Sequence, residues 1–398
     1  MSVELDSETH VVDLQEIRMQ EFSSAAKWTY FNHASDSPLP ARSARVLRER
    51  IGLLEDPRLE VPAREGYLAR AQEYLGRLIG GLPEQIAFLT NIADATAVVV
   101  NGLAWNPGDE AIVVSGEFAS FVYPWKTLER LGVVIRVVAK EGVATLFDDI
   151  EAAITPRTRV LAISHVEYLS GFKNDLAALG ALCRENDVLF VVDASQSLGV
   201  IPIDAEVNGI DVLVAVGYKW LMSPHGISVL YVSPEAMEQI RPSSPGRYSV
   251  ESGWQSADYG LDWFPDARRY QGGALNWLGV CALAESTGVL DEIGIDQVAA
   301  ASRRICDGLI ERIAGLPVRI TSDLRDAHRS SILTFTFGLV DVDEEFVEYA
   351  AKAGVILGRR AYGIRFGAHF WNNETDLDRL VTVIREFSES HVGAGGSQ

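Results

Sequence analysis

The chain has 398 residues, 47% of them apolar and 23% charged, with a formal net charge of −20. That acidity argues against nucleic acid or an anionic membrane as partner, since both recruit basic surfaces; the length calls for one large domain and a smaller one. The N-terminus MSVELDSETH is acidic and polar, unlike a signal peptide; no apolar run is long enough to span a membrane, and three sparse cysteines without metal spacing suit a reducing compartment, so a soluble cytoplasmic protein is expected.

Residues 1–27 read as a polar arm with one amphipathic turn or helix. Pro38-Leu39-Pro40 makes a rigid turn before a helix at 41–54, and a second amphipathic helix over 64–80 ends at Gly80-Gly81. The strand-like run 85–90 leads through Asn91, Ile92, Ala93 and Asp94 into an apolar helix reaching 103. A helix start after a strand is an anion site, because its first N–H groups lack intrahelical acceptors. A carboxylate there repels an anion, so Asp94 is expected to cap the helix. Strands at 111–115, 133–138 and 159–164, with helices at 146–154 and 174–186, continue the alternation of a doubly wound α/β sheet.

The stretch 188–222 organises the rest. Its Val-rich runs, 188–192 and 212–216, read as strands buried on both faces of a parallel sheet. Asp193 and Lys219 then fall at or just past their carboxyl ends, the rim where open α/β sheets bind ligands. Such a pair reads either as a salt bridge or as a pyridoxal phosphate (PLP) site, with Lys as Schiff base and Asp on the pyridinium nitrogen. Gln196 and the run Tyr218-Lys219-Trp220-Leu221 favour the second. Only six of the 35 basic residues are lysine, so an amine kept in an apolar setting is suggestive of chemistry.

After a turn at 223–226, the run 227–232 is a strand with an antiparallel course open to it. Residues 241–268, rich in Ser, Gly, Pro and Trp, read as a long loop of the kind that carries function. Beyond it, amphipathic helices alternate with strands at 318–321 and 331–337. The expected division is an arm at 1–27, a large PLP-binding domain at 28–276, a small α+β domain at 277–392 and a flexible tail at 393–398.

From about residue 30 to 383 the sequence resembles the class V aminotransferase and cysteine desulfurase group of PLP enzymes, in an isopenicillin N epimerase-like branch. The pattern is Asp193-Ala194-x-Gln196-x-x-Gly199, then Asp211, then Gly217-Tyr218-Lys219-Trp220-Leu221. The resemblance implies PLP fold type I, with a mostly parallel seven-stranded sheet in the large domain. It also implies pyridoxal 5′-phosphate as cofactor, an amino-acid substrate, and a homodimer with its active site at the subunit interface.

Residue by residue, the resemblance puts the phosphate at Ile92 and Ala93, the ring under Phe118, and Gln196 on the phenolic oxygen. Tyr218 is a further candidate for the phosphate, and the run at 268–276, with Ala274 and Asn276, is the segment that reaches the partner subunit's phosphate in relatives. Arg365 matches the substrate-carboxylate arginine, His33 the N-terminal segment near the substrate, and Tyr168 the loop by the phenolic oxygen. This chain departs at Phe118, where many desulfurases have His, at Tyr168, where they often have Asn, and at Gly217 and Ala274, each lacking a hydroxyl.

The expected activity is at the Cα of an α-amino acid, of aminotransferase type. The alternatives are a β-eliminating C–S lyase or an epimerase, and, given Asp94, Gly217 and Ala274, a degenerate non-catalytic dimer. Persulfide transfer is disfavoured because residues 352–366 contain no cysteine.

Overall fold

The computed structural model describes residues 12–56, 58, 64–140, 142–144, 147–252 and 259–391. The expected tail at 393–398 and the first eleven residues of the arm lie outside them. The chain opens with α1 (Leu14–Glu21), β1 (Thr29–Tyr30), α2 (Ala41–Glu55), α3 (Glu65–Ile79), β2 (Ile86–Leu89) and α4 (Ile92–Gly102). The alternating section comprises β3 (Glu110–Val114), α5 (Ala119–Lys126), β4 (Val134–Val138), α6 (Phe147–Ala153), β5 (Thr158–Ser164), α7 (Leu176–Glu185), β6 (Leu189–Asp193), β7 (Val212–Val216), β8 (Ser228–Val232) and α8 (Pro234–Gln239). The C-terminal section holds α9 (Trp277–Ile293), α10 (Ile295–Ile313), β9 (Arg319–Ile320), β10 (Ile332–Thr336), α11 (Val340–Lys352), β11 (Val355–Ile356), β12 (Gly358–Arg360), β13 (Gly363–Gly367) and α12 (Glu374–His391).

The large sheet has seven strands in the order β2-β8-β7-β6-β5-β3-β4, and β8 alone runs against the others. Its central strands are continuous apolar runs because both faces are covered. Phe190 and Val192 of β6 join one core cluster, whereas Leu189 and Val191 join the cluster on the opposite face. β7 divides in the same way, with Leu213 and Ala215 on one side and Val212, Val214 and Val216 on the other. Because β5, β6 and β7 are parallel, their carboxyl ends share one rim, and Ser164 pairs with Asp193 in register there.

A four-stranded antiparallel sheet, β12-β13-β10-β9, forms the C-terminal unit with its own core. The N-terminal segment is stitched to this unit: β1 pairs with β11, and Asn32 bridges to Gly367. Arg18 fixes α1 there as well, gripping Asp376 with bonds of 2.5 and 3.0 Å. Conversely, α9 packs on α2 and α3 of the large unit.

Gly171 marks a point where the two units meet. Its φ is +76°, and a Cβ there would stand 2.4 Å from the carbonyl oxygen of Ile332 in β10. Only glycine admits both the left-handed backbone and that approach.

Candidate active site

One cleft on the carboxyl rim is lined by Ile92, Phe118, Tyr168, Asp193, Gln196, Tyr218 and Lys219, together with Ser164, Val166, Ser195 and Val216. Seven residues expected at the site are thus brought together by strand ends and the turns that follow them. Asp193 closes β6, and the N–H of Ser195 donates to its Oδ1 at 2.8 Å. Burial raises its pKa; the Ser195 bonds and the Lys219 charge pull the other way.

Lys219 stands three residues past β7 in a tight turn, where Ser223 N–H bonds to the Gly217 carbonyl at 2.9 Å. Its side chain is almost completely enclosed. Burial lowers the amine to about 8 against the attraction of Asp193, and the guanidiniums of Arg365 and Arg360 lower it further. The ammonium lies 5.6 Å from the Phe118 ring centre and 5.9 Å from that of Tyr218. Phe118 meets Tyr168 edge-on, with ring centres 5.4 Å apart, while Tyr218 stacks on His225.

Gln196 is fixed from both ends. Its Oε1 accepts from Trp220 Nε1 and its Nε2 donates to the Ala34 carbonyl, both at 2.9 Å. The amide is thereby oriented, and one N–H of Nε2 remains free for a further acceptor. Trp220 is itself held by His369, whose Nε2 meets the Trp220 carbonyl oxygen at 3.0 Å.

The start of α4 differs from expectation. Asn91, not Asp94, caps the helix: its extended backbone (φ −160°, ψ 174°) suits the cap, and its side chain accepts from the N–H of Asp94. Asp94 is in the first turn, taking a 2.9 Å bond from Asn91 Nδ2. Its charge is thus tied to the cap, while the amides of Ile92 and Ala93 keep the first-turn positions that have no acceptor within the helix. Ile92 lines the cleft; Ala93 is half-buried beside it.

Besides Ala93, four other expected residues are absent from the cleft wall. His33 is fully buried, its Nδ1 is 2.8 Å from Ser37 Oγ, and its ring packs among Tyr30, Trp220, His369 and Trp371. It supports the wall from behind. Ala274 and Asn276 are surface residues; Asn276 caps α9 and donates to the Gly226 carbonyl at 2.9 Å. Arg365 lies just outside the wall, 1% exposed, its Nη1 donating to the Tyr168 carbonyl at 2.8 Å. The acids that follow it in sequence are engaged elsewhere, Asp376 with Arg18 and Asp378 with Arg312.

Several residues at the site went unsingled in the sequence. Ser35 and Arg360 join Arg365, and Ser195 holds Asp193. Ser223 brings a hydroxyl, buried and without a partner, to the turn where Gly217 lacks one. A Cβ at 217 would stand 3.0 Å from Ile227 Cγ2 and 3.2 Å from Ser223 Cβ, so the space for a side chain there is already filled. Behind the cleft, Glu117 receives the Ser164 N–H at 2.7 Å and meets its hydroxyl, next to the buried ion pair of Lys140 and Glu167. Ser195 falls at the variable position of the Asp193-Ala194-x-Gln196 pattern, and the contacts of the others join segments distant in sequence.

All three cysteines are buried and unpaired, in α7, α9 and α10, and none lines the cleft. Among the described residues no cluster suits a metal ion, and no helix is long and apolar enough to cross a membrane.

Comparison with known proteins agrees with this geometry. An uncharacterized aminotransferase of Bacillus subtilis, YcbU, is 26% identical over 79% of this chain and 82% of its own. A cysteine desulfurase of Klebsiella pneumoniae is 27% identical over 79% of this chain and 80% of its own. Among solved structures, a C-DES variant with glycine covalently linked to its PLP cofactor superposes with a TM-score of 0.85, covering 93% of this chain and 99% of that one at 21% identity. The complex of the cystine C–S lyase C-DES with cysteine persulfide gives 0.84, covering 92% and 100% at 22% identity. These likenesses establish PLP fold type I for the large unit. The family model described as aminotransferase class-V matches residues 65–380, and the chain belongs to that family.

Proposed function

We propose that this is a pyridoxal 5′-phosphate enzyme acting at the Cα of an α-amino acid, with aminotransferase-type chemistry. The observation that carries the reading is the convergence of Lys219 and Asp193 on one cleft, each buried and each shifted toward its neutral form. The residues present fit the cofactor. Asp193 supplies a buried carboxylate for a protonated ring nitrogen, Gln196 has a donor left, and the Ile92 and Ala93 amides at the start of α4 suit a phosphate. Ser223 and Tyr218 are the further candidates for that phosphate, and the departure at Gly217 does not empty the turn. Ala274 and Asn276, exposed on this chain, are kept for the partner subunit's site in a homodimer.

The cofactor, when bound, supplies an aldehyde for the lysine and an electron-withdrawing ring. The rest is done by the chain. Lys219 Nζ, made less basic by burial, takes a proton from Cα and returns one. Arg365 holds the substrate carboxylate, for which its planar fork is suited. Phe118 and Tyr168 close the sides and limit water.

A second reading, a C–S lyase that expels a β-sulfur substituent, is favoured by the relatives named as desulfurases and by the likeness to a cystine C–S lyase. Epimerisation, the outcome suggested by the isopenicillin N epimerase-like resemblance, needs the same lysine. Persulfide transfer through a cysteine of this chain is disfavoured, since all three thiols are buried and none lines the cleft.

Borohydride treatment followed by intact-mass measurement tests the core of this reading. The wild-type protein should gain the mass of one reduced cofactor, and Lys219→Ala should gain none. An unmodified Lys219 in protein supplied with cofactor refutes it. An amino-acid panel scored for amino transfer, for ammonia with keto acid, and for Cα inversion then separates the three outcomes.

A further inference from the structure

Two guanidinium groups of the C-terminal unit converge on one hydroxyl. Ser35 Oγ is 2.6 Å from Arg365 Nη2 and 3.1 Å from Arg360 Nη2. The two nitrogens are therefore no farther apart than those two distances laid end to end. Like charges so close repel, and among the described residues neither forms an ion pair. The adjacent Arg359, by contrast, pairs with Glu344 at 3.1 Å.

What the two groups do contact is neutral. Arg365 reaches the Tyr168 carbonyl, and Arg360 Nη1 reaches the Arg359 carbonyl at 2.6 Å. Arg365 Nε is buried with no partner at all. Dipoles of this kind do not balance two net charges; Arg365 is enclosed and Arg360 half-buried, and an enclosed cation calls for a counter-charge. Ser35 is also next to the cleft: the carbonyl of Ala34 holds Gln196, which lines it, and Tyr168 lines it too.

We propose that Arg365 and Arg360 together select a substrate with two anionic groups, an α-amino acid whose short side chain ends in a carboxylate or sulfinate. The α-carboxylate goes to Arg365 and the distal group to Arg360, displacing the Ser35 hydroxyl that now spans them. The assignment rests on the α-amino-acid reading above. Because the two guanidiniums are so near each other, only a short side chain fits between its own two acids.

The test compares aspartate with asparagine, glutamate with glutamine, and cysteine sulfinate with aspartate, in wild type and Arg360→Met, as ratios of kcat/KM. In wild type the anionic member of each acid–amide pair should lead by about tenfold to a hundredfold, the range of one charge-assisted hydrogen-bonded pair. Arg360→Met should bring that ratio close to one, and Arg360→Lys should keep part of it. If Arg360→Met does not fold, the lysine variant and the wild-type ratios still decide. Sulfinate against carboxylate identifies the preferred head group.

A wild-type ratio near one overturns the proposal. So does an equal loss for acid and amide in Arg360→Met, which would mean that both guanidiniums hold the one α-carboxylate. Calorimetric titration of the purified protein with succinate and with butyrate reads the same pair of cations without turnover. If no amino acid reacts yet succinate binds more tightly than butyrate in an Arg360-dependent way, the α-amino-acid reading fails while the two-cation site stands. If succinate shows no advantage, the two-cation site fails on its own.

Discussion

Replacing Glu117 by Gln should stabilise the protein at neutral pH, by an amount that grows as the pH rises. The Glu117 side chain is 7% exposed and bound to Ser164. Burial first, and then repulsion by Glu167, push its carboxyl from 4.5 up to about 8, against the pull of Lys140 and the Ser164 hydrogen bonds. The folded chain therefore keeps this proton to a higher pH than the unfolded chain does. The sign follows: stability from this group is full below about 4.5 and is lost as the pH climbs toward 8.

At pH 7 the unfolded carboxyl has lost its proton while the folded one still holds it. At ~1.36 kcal/mol per pH unit, the interval from 4.5 to 7 amounts to about 3 kcal/mol. Because Glu117 shares its titration with charged neighbours, the single-group figure is an upper bound, and the effect is on the order of 1–3 kcal/mol. Glutamine copies the protonated acid, since its oxygen accepts from the Ser164 N–H and its amide donates to the Ser164 hydroxyl, and it does not titrate. Urea denaturation at several pH values measures the effect. Wild type and Glu117→Gln should agree near pH 5 and then diverge in favour of the variant up to pH 8. Parallel stability curves, with the variant weaker by more than ~1 kcal/mol throughout, would show that the folded state holds an ionised Glu117 and would refute the reasoning.

Two further substitutions examine what supports the cleft. Trp220→Phe removes the indole donor and leaves the Gln196 carbonyl without its buried partner, so a loss of about 1–3 kcal/mol in urea unfolding is expected, with a weaker cofactor spectrum if Gln196 turns. Arg18→Met strands the Asp376 carboxylate, which is 5% exposed, and should cost about 3–5 kcal/mol; limited proteolysis should then cut within α1 and the segment that follows it.

The parts of this molecule that could be read from sequence are those whose burial leaves a continuous local pattern. β6 and β7 were legible because both faces are covered, so each position is apolar until Asp193 or the turn to Lys219 interrupts the run. β1, β11 and β12 were not, since two or three residues show no period. The cap of α4 was misplaced by three positions because Asn and Asp are both good caps and only the extended backbone of Asn91 distinguishes them. His33 was set near the substrate by its position in a familiar segment, but Trp371 and His369, more than three hundred residues later, enclose it. Ser35 and Arg360 escaped for the same reason: their contact spans 325 positions, and nothing local announces it.

The electrostatics of the site could not be taken from composition either. The chain as a whole carries −20, yet Arg365 and Arg360 meet on the neutral hydroxyl of Ser35, close enough to act on Lys219 against the buried Asp193 and the exposed Asp36. Exposed acids act on an approaching ligand through water and salt, which screen them beyond about 8 Å at physiological ionic strength. The enclosed guanidinium of Arg365 is screened far less, and the half-buried one of Arg360 partly so. On the proposal above, an anionic amino acid meets mild repulsion at a distance and strong attraction within the last few ångströms, where among the described residues Arg365 and Arg360 have no carboxylate to satisfy them. Selectivity in such a cleft comes from the short-range term, and the acidic surface does not oppose it.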